Sequence, residues 1–183
     1  MKVFFFRLFF ILVLVFFEFS FLDVLFPWIS APIVLIDSVV AWALLVSFPR
    51  VLFMTIPLTA FFDIVASETQ GMFTLYAVLL VYVLSFLSRR LLLEYRGINM
   101  ALYALFASLG VLGFTFFEFI FSRGNPFLWT KEIVATLFFL VPFRDVFLSM
   151  LLCIPLFVCV YFLIRRFEKY MDFIAQGETL RMK

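Results

Sequence analysis

Long apolar runs, each closed by a short polar or basic turn, divide this chain into segments of the length that crosses a membrane. The first covers residues 3–22 and is followed by Asp23, Pro27 and Trp28, the mixture of an acid, a helix breaker and an amphipathic ring that marks a membrane interface. A second covers 33–48, entered at Pro32 and left at Pro49-Arg50. A third covers 51–66, carries Pro57 and ends in Ser67-Glu68-Thr69-Gln70-Gly71. Its shortness and internal proline predict a kinked, tilted or partly re-entrant helix. The fourth, 72–87, ends at Arg89-Arg90, and the fifth, 98–121, closes at Arg123-Gly124-Asn125-Pro126. Residues 127–143 contain Lys131, Glu132 and Pro142, which leave too short an apolar run to span, so an interfacial or re-entrant helix is expected there. The sixth span, 146–164, holds Pro155 and finishes at Arg165-Arg166. In the tail, 165–183, Phe167, Tyr170, Met171 and Ile174 recur at helical spacing, and Gly177 is a stop signal. That stripe reads either as a docking helix on the inner side or as a helix lying on the headgroups.

Composition turns this pattern into a class. Hydrophobic residues make up 67% of the 183 and charged residues 14%, with a mean hydropathy of +1.21. No water-soluble fold hides that much apolar surface, so a single all-α membrane domain is expected, with lipid as its outer solvent. The thirty-one Phe residues fit that solvent, because Phe, Leu, Ile and Val are nearly equivalent against acyl chains. The basic start at Lys2 and Arg7 also suits a signal peptide. However, the small pair that would mark cleavage, Ser30-Ala31, is followed by Pro32, and a retained helix is expected.

The basic residues then orient the spans. With the amino terminus inside, the inner side collects Lys2, Arg7, Arg50, Arg89, Arg90, Arg96, Arg165, Arg166, Lys169, Arg181 and Lys183, and only Arg123, Lys131 and Arg144 fall outside. That bias predicts six spans with both termini inside. Arg89, Arg90, Arg165, Arg166 and Lys169 become the candidate contacts for headgroups or a cytoplasmic partner.

Ionisable residues inside apolar spans are costly, which makes each a site candidate. Arg7 and Glu18 share a face of the first helix about 16 Å apart and are expected to snorkel to opposite interfaces. Asp37, Asp63 and Glu118 fall in the outer half of their spans. They either line one polar cavity or stand as separate water-reached groups. The chain has no His, and Cys153 and Cys159 lie about 240° apart on one helix, so a metal pair or disulfide is not expected and both are read as packing residues. No phosphate-cradling loop or metal-ligand spacing appears, and the small net charge of +2 does not suggest nucleic acid. Cofactor and metal are therefore both expected to be none. In the fifth span Ala101, Ala104, Ser108, Gly110 and Gly113 predict close helix approach.

The run Ala60-Phe61-Phe62-Asp63, an eight-residue step to Gly71, and an apolar helix containing Tyr82 resemble the MreD family of bacterial rod shape-determining membrane proteins. Pro32, Pro49-Arg50, the arginine turn after the fourth span and the basic tail agree with that layout over about the whole chain. Where the family usually has glycines four and eight residues before the aspartate, this chain has Thr59 and Thr55. The resemblance implies a non-enzymatic scaffold of the bacterial inner membrane. It would bind MreC and, through the complex, meet a SEDS glycosyltransferase, a class B penicillin-binding protein and MreB filaments. It also implies a fold similar to the substrate-binding subunits of energy-coupling-factor vitamin transporters, in which case Asp37, Asp63, Gly71 and Glu118 are the ligand or partner candidates. A solute-binding subunit is the second reading, against which stands the lack of any alanine in residues 3–22.

Overall fold

A computed structural model describes residues 2–26, 31–66, 71–91, 99–122 and 143–181, and among these residues the chain is helical, with no strand. Of the expected interfacial segment 127–143, residues 127–142 lie outside the described residues, as do the turns 67–70 and 92–98, and Phe143 opens the last helix. We label the helices α1 (Lys2–Phe17), continued by a π-helical turn (Glu18–Leu22) and a last short turn (Asp23–Leu25); α2 (Ile33–Leu45); α3 (Phe48–Ala66); α4 (Met72–Leu91); α5 (Asn99–Ser122); and α6 (Phe143–Arg181). Four of them contain stretches long and apolar enough to cross a membrane: Phe4–Leu22, Phe48–Ala66, Ala101–Glu118 and Phe147–Ile174. The protein is an all-α membrane protein.

The architecture is a bundle built around α2. Every residue from Ile33 to Ala43 is buried, because α1, α3, α4, α5 and α6 all pack against this one helix. A helix with apolar residues on every face is a buried one, and α2, despite Asp37 and Ser38, is enclosed by protein. Its 13 residues rise only about 20 Å, less than a hydrocarbon core of roughly 30 Å.

The outer helices sort their residues by solvent. On α1 the inward face carries Ile11, Leu14, Val15, Glu18 and Leu22, at helical spacing, while Phe4, Phe5, Phe9, Phe16 and Phe21 face outward, Phe9 and Phe16 by 66% and 71%. So large an exposed apolar display suits a helix in an apolar surrounding. Phe10 and Phe19 instead turn inward, onto Phe167 and Phe62.

Ring contacts define the two ends of the bundle. At one, Phe19 stacks on Phe62 at 5.1 Å, Phe62 meets Phe73 at 4.9 Å and Phe73 meets Phe114 at 5.3 Å, which brings together the end of α1, the end of α3, the start of α4 and the latter part of α5. At the other, Phe10 stacks on Phe167 at 4.1 Å with Trp42 edge-on at 6.2 Å, joining α1, α6 and the end of α2.

Four boundaries differ from the expectation, each for a local reason. α2 stops at Leu45, where Val46 turns extended, and α3 begins at Phe48, because Pro49 in a first turn starts a helix and need not end one. The Ser47 carbonyl accepts the amides of Arg50 and Val51 at 2.9 and 3.0 Å. With these residues added, α3 has 19 residues, about 28 Å, and is one continuous helix through Pro57. α4 runs on through Arg89 and Arg90 to Leu91. The largest difference is in α6, which does not break at Arg165-Arg166 or Gly177 but continues for 39 residues, about 58 Å. The inward stripe Cys153, Phe157, Val160, Tyr161, Ile164 and Met171 keeps one face across the arginine pair, so nothing in the packing calls for a stop.

Candidate functional site

Three carboxylates carry the interior polar chemistry, and each is placed by a different helix. Glu18 opens the π-helical turn of α1 and is 2% exposed, so it does not snorkel as expected. Its Oε2 accepts the amide of Val34 at 2.9 Å, in the first turn of α2. Pro32 supplies the cap position without a side-chain bond, which leaves that first turn in need of an acceptor within the protein. A carboxylate there meets both the free amide and the positive end of the helix dipole.

Asp63 does the same for α4 from the last turn of α3. Its Oδ1 accepts the Phe73 amide at 3.2 Å, and its Oδ2 accepts the Thr74 amide at 2.9 Å and the Thr74 hydroxyl at 2.5 Å. Gly71, immediately before α4, has φ +82°, a left-handed conformation that a side chain disfavours. The Asp63-to-Gly71 spacing thus acquires a physical meaning: the chain reverses through a glycine so that the next helix starts on the aspartate. Both acid caps lie at the same end of the bundle, joined by the Phe19–Phe62 stack.

Asp37 stands apart from them. It lies one turn into α2 with no exposed surface, and its Oδ1 accepts the thiol of Cys153 on α6 at 3.1 Å. Its Oδ2 has no hydrogen-bond partner. Ser108 of α5 lies against the same thiol and donates to the Ala104 carbonyl at 2.9 Å, and buried Ser149 precedes Cys153 by one turn of α6. Cys153 is therefore more than a packing residue, whereas Cys159 is exposed.

Asp37, Asp63 and Glu118 sit on three different helices. Asp37 belongs to the α2–α5–α6 junction, Asp63 to the α3–α4 turn, and half-buried Glu118 lies one turn beyond Phe114 on α5. Arg165, Arg166 and Lys169 are exposed on α6, and Arg89 and Arg90 occupy the last turns of α4.

No family model, curated protein or solved structure matches the chain.

Two further devices were not legible as such in the sequence. Tyr76, and not exposed Tyr82, is the buried tyrosine of α4, and its hydroxyl donates to the Gly110 carbonyl at 2.5 Å. A Cβ on Gly113 would stand 2.7 Å from that hydroxyl, and one on Gly110 would press to 3.1 Å from Ile36. Gly110 and Gly113 thus form the seat of a tyrosine, and the small-residue pattern lets α5 close onto α2 and α4 as expected. At the opposite end Arg7 pairs with Glu168 at 3.1 Å, side chains 17% and 12% exposed, beside the Phe10–Phe167 stack. Arg7 thus spends its charge on the extension of α6 instead of snorkelling alone. The Phe167–Met171 face of the tail is turned inward, while Tyr170 and Phe173 remain exposed.

Proposed function

We propose that the chain is a non-enzymatic membrane scaffold of the MreD type, with six spans and both termini on the cytoplasmic side of a bacterial inner membrane. In this reading it binds an MreC-like partner and supports lateral peptidoglycan synthesis and rod shape. The supporting observation is the use made of Asp63 and Gly71, the two residues on which the resemblance turns. They hold the α3–α4 reversal shut, which suits an architectural role in shaping one end of the bundle. The basic distribution would put that end outside, where a partner with an extracytoplasmic domain is met. Arg165, Arg166 and Lys169 would then face the inner headgroups.

Co-purification tests the proposal. Tagged protein extracted in mild detergent is expected to bring down an MreC-like protein together with elongation components, and its depletion is expected to round rod-shaped cells. Recovery of no such component, with cell shape intact, would overturn it. A thermal shift with a vitamin-like solute that vanished on Asp63→Asn would instead favour the solute-binding reading.

A further inference from the structure

We infer that the α2–α5–α6 junction is a buried proton-binding site, with Asp37 carrying a proton while the bundle is closed. Asp37 is wholly enclosed, and one oxygen is met only by a thiol, a weak donor, while the other is met by nothing. An ionised carboxylate so placed would keep a full charge in the membrane interior without a cation or strong donor, a cost far above that of one unsatisfied neutral hydroxyl.

The groups around it agree. From α6 the group hydrogen-bonded to it is the Cys153 thiol, against which the Ser108 hydroxyl of α5 lies, while Tyr103 of α5 and Tyr161 of α6 are packed on each other at 5.9 Å. The buried tyrosine of α4, Tyr76, is committed to the Gly110 carbonyl, and the acid of α3, Asp63, is committed at the bundle end to Phe73 and Thr74. On α1 the nearest acid is Glu18, fixed on Val34, less than one turn from Asp37 along α2. Among the cations whose side chains are described, Arg7 is held by Glu168 at the far end, and Arg50, Arg165, Arg166 and Lys169 are exposed. Loss of the proton would leave an uncompensated charge between α2 and α6 and part them, so the proton is the ligand that keeps the central helix packed.

Infrared spectroscopy of the full chain in lipid tests this directly. With 13C-carboxyl aspartate incorporated, wild-type protein at neutral pH is expected to show the carbonyl stretch of a protonated acid, shifted by the label. The band should be lost in Asp37→Asn and kept in Asp63→Asn. Absence of a label-sensitive acid band in wild type, or its survival in Asp37→Asn, overturns the inference. A second measurement reads the packing: with Cys159→Ala as background, a lipid-permeant maleimide is expected to reach Cys153 as the pH is raised. With Asn at 37, the neutral isostere, Cys153 should stay protected by at least several-fold. Equal labelling in both overturns the link between the proton and the closed junction.

Discussion

Replacing Asp63 by alanine removes acceptors from two backbone amides and one hydroxyl at the start of α4. Phe73 is 1% exposed, so its amide has no route to water, and an orphaned buried donor costs about 1–3 kcal/mol. Thr74 is half-buried and can recover part of its loss from solvent, leaving roughly 1 kcal/mol more, the size of an ordinary helix cap. Together Asp63→Ala is expected to destabilise the bundle by about 2–4 kcal/mol. Asp63→Asn keeps one carbonyl oxygen and should cost about half as much. Equilibrium unfolding of purified protein by dodecyl sulfate in mild-detergent micelles, followed by circular dichroism, gives the differences. Exposed Asp172→Ala, on α6, is the control and should stay within about 0.5 kcal/mol of wild type. If Asp63→Ala unfolds with Asp172→Ala, the cap does not hold the α3–α4 turn, and the physical reading of the Asp63–Gly71 spacing fails.

Other outcomes follow from the same packing. Gly113→Ala should cost about 1–3 kcal/mol by driving a methyl into the Tyr76 hydroxyl, but far less in a Tyr76→Phe background, where the next ring atoms lie at 3.6 and 3.7 Å; additive losses in the unfolding assay would show the clash is not the cause. Gly71→Ala should lose roughly 1 kcal/mol through its left-handed backbone, and Gly71→Asn less, by the same titration. Glu18→Ala should destabilise by about 1–3 kcal/mol through the uncapped first turn of α2, with Glu18→Gln intermediate. Arg7→Ala and Glu168→Ala should each speed tryptic cleavage after Lys169, and the exchanged pair Arg7→Glu with Glu168→Arg should slow it again; no change in either single variant would deny the clasp between α1 and the α6 extension.

The apolar runs located the helices well, since their length and the interruptions between them are a direct consequence of backbone bonding in lipid. Boundaries set by proline or arginine were less legible. Pro49 ends one helix or begins the next with equal ease, and Arg165-Arg166 interrupts the apolar run without stopping the helix. Inward and outward faces were hidden for another reason: α1 is apolar on every side, so only its neighbours reveal that Ile11 and Val15 face in and Phe9 and Phe16 out. The interior acids were recognisable as costly, but their partners lie on other helices. Glu18 meets an amide 16 residues away, and Asp37 meets a cysteine 116 residues away. Only the Asp63–Gly71 step is short enough for its residues to be read together, and it is also the step on which the family resemblance rests.

In the proposed arrangement the acid-capped end of the bundle, with the Asp63–Gly71 turn, would face away from the cytoplasm and the α6 extension would lie within it. Single cysteines placed at Thr69 and at Asp172 in a Cys159→Ala background, where Cys153 stays buried, test it in intact cells with a membrane-impermeant maleimide. The residue 69 thiol should label from outside, and the residue 172 thiol only after the cells are opened. Labelling of position 172 in intact cells, or protection of position 69 until lysis, would contradict the account.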